Sequence, residues 1–178
     1  GPGFGGSCFP KDVKAFSASA KKHNIEFSII NAVNASNELR PKRIASKIKN
    51  RFNNKLDSIV IGILGLSFKP NTDDIRNSTS IIIADELSKS NVKIKCFDPH
   101  AMTNAKDIFP ALIYCNSAYD VCDSSSALVI ATEWDEFRVL DFNKVKKLMN
   151  DPVIFDLRNI YNMEELENLG FEYYGVGK

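Results

Sequence analysis

Apolar side chains in the first third of the chain recur at helical intervals. Between Asp12 and Lys22, Val13, Phe16 and Ala20 share one face while lysines take the others, which predicts a helix. Asn24 breaks it. A second, longer helix is expected from Phe27 to about Phe52, where Ile29 and Val33, then Ile44, Ile48 and Phe52, recur at steps of four. Pro41 lies inside it and is expected to kink it or end its first half, because proline lacks the backbone donor and crowds the preceding turn. Asn34, Ser36 and Asn37 further weaken its middle. Packing must therefore hold this helix. An arm of this kind points to an interface, with Ile44 and Ile48 as its apolar contacts.

From Leu56 the period changes. Ile59 to Leu64 reads as a buried strand, Ser80 to Ser90 as a helix and Val92 to Phe97 as a second strand. A short helix after Ala101 and a brief strand at Leu112 to Tyr114 follow, then a buried strand at Ala127 to Ala131. The chain closes with a helix at Phe142 to Met149, a strand at Val153 to Phe155, a helix at Met163 to Leu169 and a strand at Phe171 to Val176. Strands alternating with helices imply a parallel sheet covered on both faces. The expected fold is thus α/β: a helical arm over residues 1–54, then a Rossmann-like parallel-sheet domain over residues 55–178, divided near Asn53-Asn54.

Composition narrows the function. At 178 residues, 44% hydrophobic and 25% charged, the chain suits one globular domain with a helical appendage rather than disorder. A net charge of +1 gives no field to attract nucleic acid or an anionic membrane. No apolar run reaches the roughly 18 residues of a membrane span. The four cysteines form no CxxC pair and show no metal spacing, so no metal is expected. Without a secretory signal, reduced thiols and a cytoplasmic location are expected. The opening Gly1-Pro2-Gly3-Phe4-Gly5-Gly6 reads as a loop entered midway, so the chain is expected to be a fragment of a longer protein.

Gly5-Gly6-Ser7-Cys8-Phe9-Pro10-Lys11-Asp12 carries the sharpest chemistry. Glycines allow close backbone approach to a ligand. Cys8 stands just ahead of a helix expected to start near Lys11, where the dipole and a lysine charge favour thiolate. Asp12, four residues on, can orient a water beside the thiol. On spacing alone, a loop with a buried free cysteine and a capping aspartate fits equally well. Phe68-Lys69 follows the first strand, at the sheet edge where open α/β sheets place ligands, and the lysine offers a compact charge to a diphosphate. Gly62-Ile63-Leu64-Gly65 is not the GxGxxG dinucleotide fingerprint. His23 and His100 suggest no role, Trp134 reads as packing, and Asp73 and Asp74 read as turn residues.

The first of these blocks closely resembles the active-site segment of the UDP-glucose and GDP-mannose dehydrogenase family. A second block, Gly65-Leu66-Ser67-Phe68-Lys69-Pro70-Asn71-Thr72-Asp73-Asp74-Ile75-Arg76-Asn77-Ser78, resembles the loop that opens its UDP-binding domain. Phe97-Asp98-Pro99, Ala131-Thr132-Glu133-Trp134-Asp135, Phe155-Asp156-Leu157-Arg158 and Tyr174-Gly175-Val176-Gly177 echo it in order along the chain. The resemblance implies NAD-dependent oxidation of a sugar C6 alcohol to the acid. It makes Cys8 the nucleophile and Asp12 the carboxylate that positions water. It assigns Phe4, Gly5, Phe68 and Lys69 to the sugar nucleotide, with Arg158 a weaker candidate, and Lys11 and Arg76 to NAD. It also implies a homodimer packed on the long helix. Ser7-Cys8-Phe9-Pro10-Lys11-Asp12 favours UDP-glucose as substrate, with GDP-mannose and UDP-N-acetyl sugars as alternatives. A non-catalytic nucleotide-sugar-binding or dimerisation module is the reading from another class.

Overall fold

The structure, a computed structural model, describes residues 1–53 and 56–177. The expected domain division falls on residues 54 and 55, outside the described residues. Two helices come first, α1 (Phe9–Lys22) and α2 (Ser28–Arg51). The rest follows the expected order: β1 (Val60–Leu64), α3 (Thr79–Ser88), β2 (Lys93–Phe97), α4 (Met102–Ile108), β3 (Ile113–Tyr114), α5 (Ala118–Cys122), β4 (Ala127–Ile130), α6 (Asp135–Arg138), α7 (Phe142–Leu148), β5 (Val153–Asp156), α8 (Met163–Asn168) and β6 (Glu172–Gly175), with the two short helices α5 and α6 as additions that were not expected.

The six strands form one sheet in the order β3-β2-β1-β4-β5-β6, and every pairing is parallel. This is a doubly wound arrangement, and its order reverses between β1 and β4. Alternation along each strand sorts the core into two layers. Ile61, Ile63, Val129 and Phe155 point to one face, where they meet Ile83, Ala84 and Leu87 of α3. Leu64, Leu128, Ile130 and Ile154 point to the other, where Val121 of α5, Phe137 of α6, Val145 of α7 and Leu166 of α8 cover them. Gly62 falls on that second face. A Cβ there would sit 2.7 Å from Val121 Cγ1, so glycine is what lets α5 approach the sheet.

Helix α2 departs from the expectation in two ways. It runs unbroken through Pro41, which is buried inside it. Its second half is also no free-standing arm. Ala45 and Ile48 are buried in the same core layer as α3 and the sheet, and Ile44 packs on that layer half-buried. Arg51 adds a two-pronged ion pair to Glu172 of β6. Ile44 and Ile48 are therefore not the contacts of an exposed interface. The steps of four mark an apolar stripe, and here that stripe is spent on the chain's own sheet. The exposed large apolar residues of α2 lie in its first half instead, at Ile29, Val33 and Leu39, with Phe16 and Ile25 nearby in sequence. Among the described residues no helix is long and apolar enough to cross a membrane.

Candidate active site at the carboxyl edge of the sheet

The loop after β1 is fixed from several sides. Gly65 has φ +93°, and a Cβ there would collide with Thr132. Asp98, at the end of β2 and fully buried, accepts at Oδ2 from the N–H groups of Leu66 (2.7 Å) and Ser67 (3.0 Å), from Ser67 Oγ (3.0 Å) and from Trp134 Nε1 (3.2 Å). Its Oδ1 accepts from the N–H groups of His100 and Ala101. A buried carboxylate is tolerable only when so fully bonded. Thr132 Oγ1 donates to the Ser67 carbonyl and Ser80 Oγ to that of Leu66. Phe68 donates its N–H to the Asp74 carbonyl, and its own carbonyl accepts from Arg158 Nη2 at 3.2 Å.

Arg158 is largely buried, and that burial lowers its pKa, opposed by Glu133. Glu133 Oε2 lies 2.9 Å from Arg158 Nε, yet the Nε–H donates to the Ala131 carbonyl. The pair is therefore ionic rather than hydrogen-bonded, and Oε2 has no hydrogen-bond partner among the described residues. Lys69, by contrast, is exposed. Its Nζ stands 5.5 Å from the Phe68 ring centroid, and no carboxylate pairs with it among the described residues. A held backbone carrying an unpaired cation suits an anionic ligand.

The cysteine loop packs directly on this one. A Cβ on Gly6 (φ +86°) would lie 2.8 Å from the Phe68 ring, and one on Gly5 would strike the Asn77 carbonyl. Gly6 donates its N–H to the Arg76 carbonyl (2.8 Å), and Asn77 Nδ2 donates to the Gly6 carbonyl (3.3 Å). The Phe4 ring meets that of Phe9, with centroids 4.6 Å apart. Cys8 is exposed and occupies the N-cap position of α1, which begins at Phe9 rather than near Lys11. Ser7 Oγ lies 3.6 Å from its sulfur, and Asp12 closes the first helical turn by donating its N–H to the Cys8 carbonyl (2.9 Å). Lys11 pairs with Asp12 at 3.3 Å, both side chains well exposed.

Arg76 pairs with Asp74 through two side-chain bonds, and Asp74 also caps the Arg76 N–H. The bond to Asp74 raises the Arg76 pKa, and the nearby Cys8 adds a smaller push in the same direction. The structure thus brings Phe4, Gly5, Cys8, Phe68 and Arg76 into one neighbourhood, with Lys69 beside Phe68. Lys11 and Asp12 follow in the first turn of α1. Asp73 accepts from Asn104 of α4, and it and Asp74 lie in irregular loop rather than in the expected turn; no metal-holding cluster occurs among the described residues.

A dinucleotide held across the sheet in the usual way needs a free acid at the end of β2 for its ribose. Asp98 stands there, but both its oxygens are engaged inside the protein. Nearer the thiol stand two exposed cations, Lys11 and Arg76, each paired with a carboxylate, Asp12 and Asp74, and open to an NAD-type group only by exchanging those partners. Three residues with evident work in this site drew no role from the sequence. Asp98 holds the Phe68 loop, while Asn77 and Asn37 hold the cysteine loop. Only Asn77 carried a local signal, as an asparagine before a helix, where it adopts φ +52°.

Residues 1–39 match the central domain of the UDP-glucose/GDP-mannose dehydrogenase family, and residues 62–163 match its UDP binding domain. The UDP-glucose 6-dehydrogenase of Rickettsia bellii is 44% identical over 179 residues, covering 99% of this chain. That of Rhizobium meliloti is 38% identical over 178 residues. This chain spans 41% of the length of each of these relatives. In three dimensions the chain is similar to a UDP-glucose dehydrogenase from the archaeon Pyrobaculum islandicum, with a TM-score of 0.86 and 32% identity over 99% of this chain and 38% of that one. With the UDP binding domain alone matching more than half of its length, the chain belongs to the UDP-glucose/GDP-mannose dehydrogenase family.

Proposed function

We propose that the whole protein is an NAD-dependent UDP-glucose 6-dehydrogenase that converts UDP-glucose to UDP-glucuronate. In this reading residues 1–54 supply the thiol and the dimer helix, and residues 55–178 hold the nucleotide. The observation that carries it is the packing of Gly5 and Gly6 on Phe68 and Asn77, which sets an exposed thiol beside a loop bearing an unpaired lysine. The 44% identical Rickettsia bellii relative supports UDP-glucose as the substrate.

Each residue then has a physical task. Lys69 binds the diphosphate as a point charge, and Arg158 keeps the Phe68 carbonyl in place. Cys8 Sγ adds to C6 at the aldehyde level, forming a C–S bond and a thiohemiacetal. After the second oxidation the same sulfur holds C6 as a thioester. Asp12 orients the water that attacks this carbon, the C–S bond breaks, the thiolate leaves and the carboxylate is released. Covalent capture divides a four-electron oxidation and retains the reactive aldehyde. NAD, when bound near Lys11 and Arg76, supplies the acceptor for the two hydrides that leave C6. We further propose a homodimer in which the exposed start of α2 meets its counterpart.

The test is NADH release by the full-length protein with UDP-glucose, GDP-mannose and UDP-N-acetyl sugars assayed in parallel. Preference for UDP-glucose supports the proposal. Preference for another nucleotide sugar moves the substrate assignment, and no NADH with any of them makes the chain part of a binding or dimerisation module.

A further inference from the structure

We propose that Asn37 is a positioning residue for the cysteine loop, gripping it from helix α2 through the backbone of Phe4. Its Oδ1 accepts from the Phe4 N–H at 2.8 Å, and its Nδ2 donates to the Phe4 carbonyl at 3.0 Å. One amide thus engages both polar groups of a residue 33 positions away, as a neighbouring strand would. The two bonds also fix the orientation of the amide, since the opposite flip would set donor against donor and acceptor against acceptor.

The rest of the contact is built around this grip. Gly3 has φ +131°, and a Cβ there would lie 2.8 Å from Asn37 Oδ1, so the close approach requires a bare backbone. One turn along α2, Arg40 Nε donates to the Gly1 carbonyl at 2.7 Å. On the opposite side Asn77 and the Arg76 carbonyl hold Gly6. Residues 1–6 therefore run between α2 and the loop that leads into α3.

Asparagine is a poor interior helix residue, and Pro41 withholds the N–H that would have bonded the Asn37 carbonyl. Two choices unfavourable to the helix thus coincide on the turn that meets the loop. A displaced Phe4 would carry Phe9 with it through their ring contact, and with Phe9 the first turn of α1, where Cys8 sits. Covalent catalysis is sensitive to such shifts, because a misplacement of about 1 Å can cost on the order of a hundredfold in rate.

This inference rests on the dehydrogenase reading, and its test separates the two. Asn37→Ala removes both bonds. Asn37→Asp keeps an acceptor for the Phe4 N–H but sets a carboxylate oxygen against the Phe4 carbonyl. In the full-length protein both should lower kcat by about tenfold or more. The KM for the nucleotide sugar should rise less than kcat falls, since the Lys69 contact is untouched and only the Phe4–Gly5 side of the sugar-nucleotide site shifts, and the unfolding temperature should barely change. A wild-type kcat in both variants overturns the proposal, and so does a loss of activity that only follows a fall in unfolding temperature. If the wild-type protein releases no NADH, the dehydrogenase reading fails instead. The rate of Cys8 alkylation by iodoacetamide then decides: a several-fold change in both variants supports positioning, and an unchanged rate refutes it.

Discussion

Cys8 and the other three cysteines occupy chemically different places. Burial pushes the thiols of Cys96 and Cys122 up to about 12, and it also raises Cys115. Cys8 alone is exposed. Since only the thiolate is an effective nucleophile, iodoacetamide at about pH 8 should label Cys8 first and leave Cys96 and Cys122 unlabelled until the fold is lost. Peptide mass analysis of briefly treated protein would show this, and early labelling of Cys96 or Cys122 would contradict the core as described. Lys69→Ala should raise the KM for the nucleotide sugar about tenfold or more, because a charge-assisted bond is worth about 1.5–3 kcal/mol. The unfolding temperature should hardly move, since the side chain lies in solvent. A large fall in that temperature with KM unchanged would make Lys69 structural. Cys8 and Lys69 were legible because each sits in a contiguous motif. Asp98, Asn37 and Asn77 were not, because their work is done on partners 31–71 positions away; the one local signal, at Asn77, marks its backbone turn and not its bond to Gly6.

At the scale of elements, the change from helical spacing to strand–helix alternation at Leu56 located the sheet, and each predicted strand is present within about two residues. The order of the strands in space lies in no local pattern, since it depends on which crossovers pack on which face. Helices α5 and α6, of five and four residues, are too short to leave a periodic trace. Helix α2 shows most clearly where pattern stops. Its apolar stripe was readable, but a stripe does not say what covers it, and Ile48 proved to belong to the sheet layer. Ile48→Ala should therefore destabilise the protein by about 2–5 kcal/mol, as for other fully buried isoleucines. Denaturant unfolding monitored by circular dichroism would measure it. A cost well under 1 kcal/mol would mean that this part of α2 does not form the core.

At the scale of the whole molecule, the chain places a thiol loop, a lysine loop and a long helix in fixed relation. The start of that helix leaves Ile29 76% exposed and Val33 38% exposed. An apolar stripe of this kind is costly in water. Replacing both with aspartate in the full-length protein should convert a dimer to monomers in sedimentation, whereas a dimer that survives the change is held elsewhere. In the proposed function Cys8 carries the covalent chemistry of a nucleotide-sugar dehydrogenase. That role is tested most directly by Cys8→Ser in the full-length protein, with NADH release and calorimetric titration of UDP-glucose measured on the same preparation. A serine hydroxyl has no evident base among the described neighbours and is a poor nucleophile at neutral pH. Net oxidation to the acid should vanish while UDP-glucose still binds with near wild-type affinity. Wild-type turnover in the variant would contradict the account.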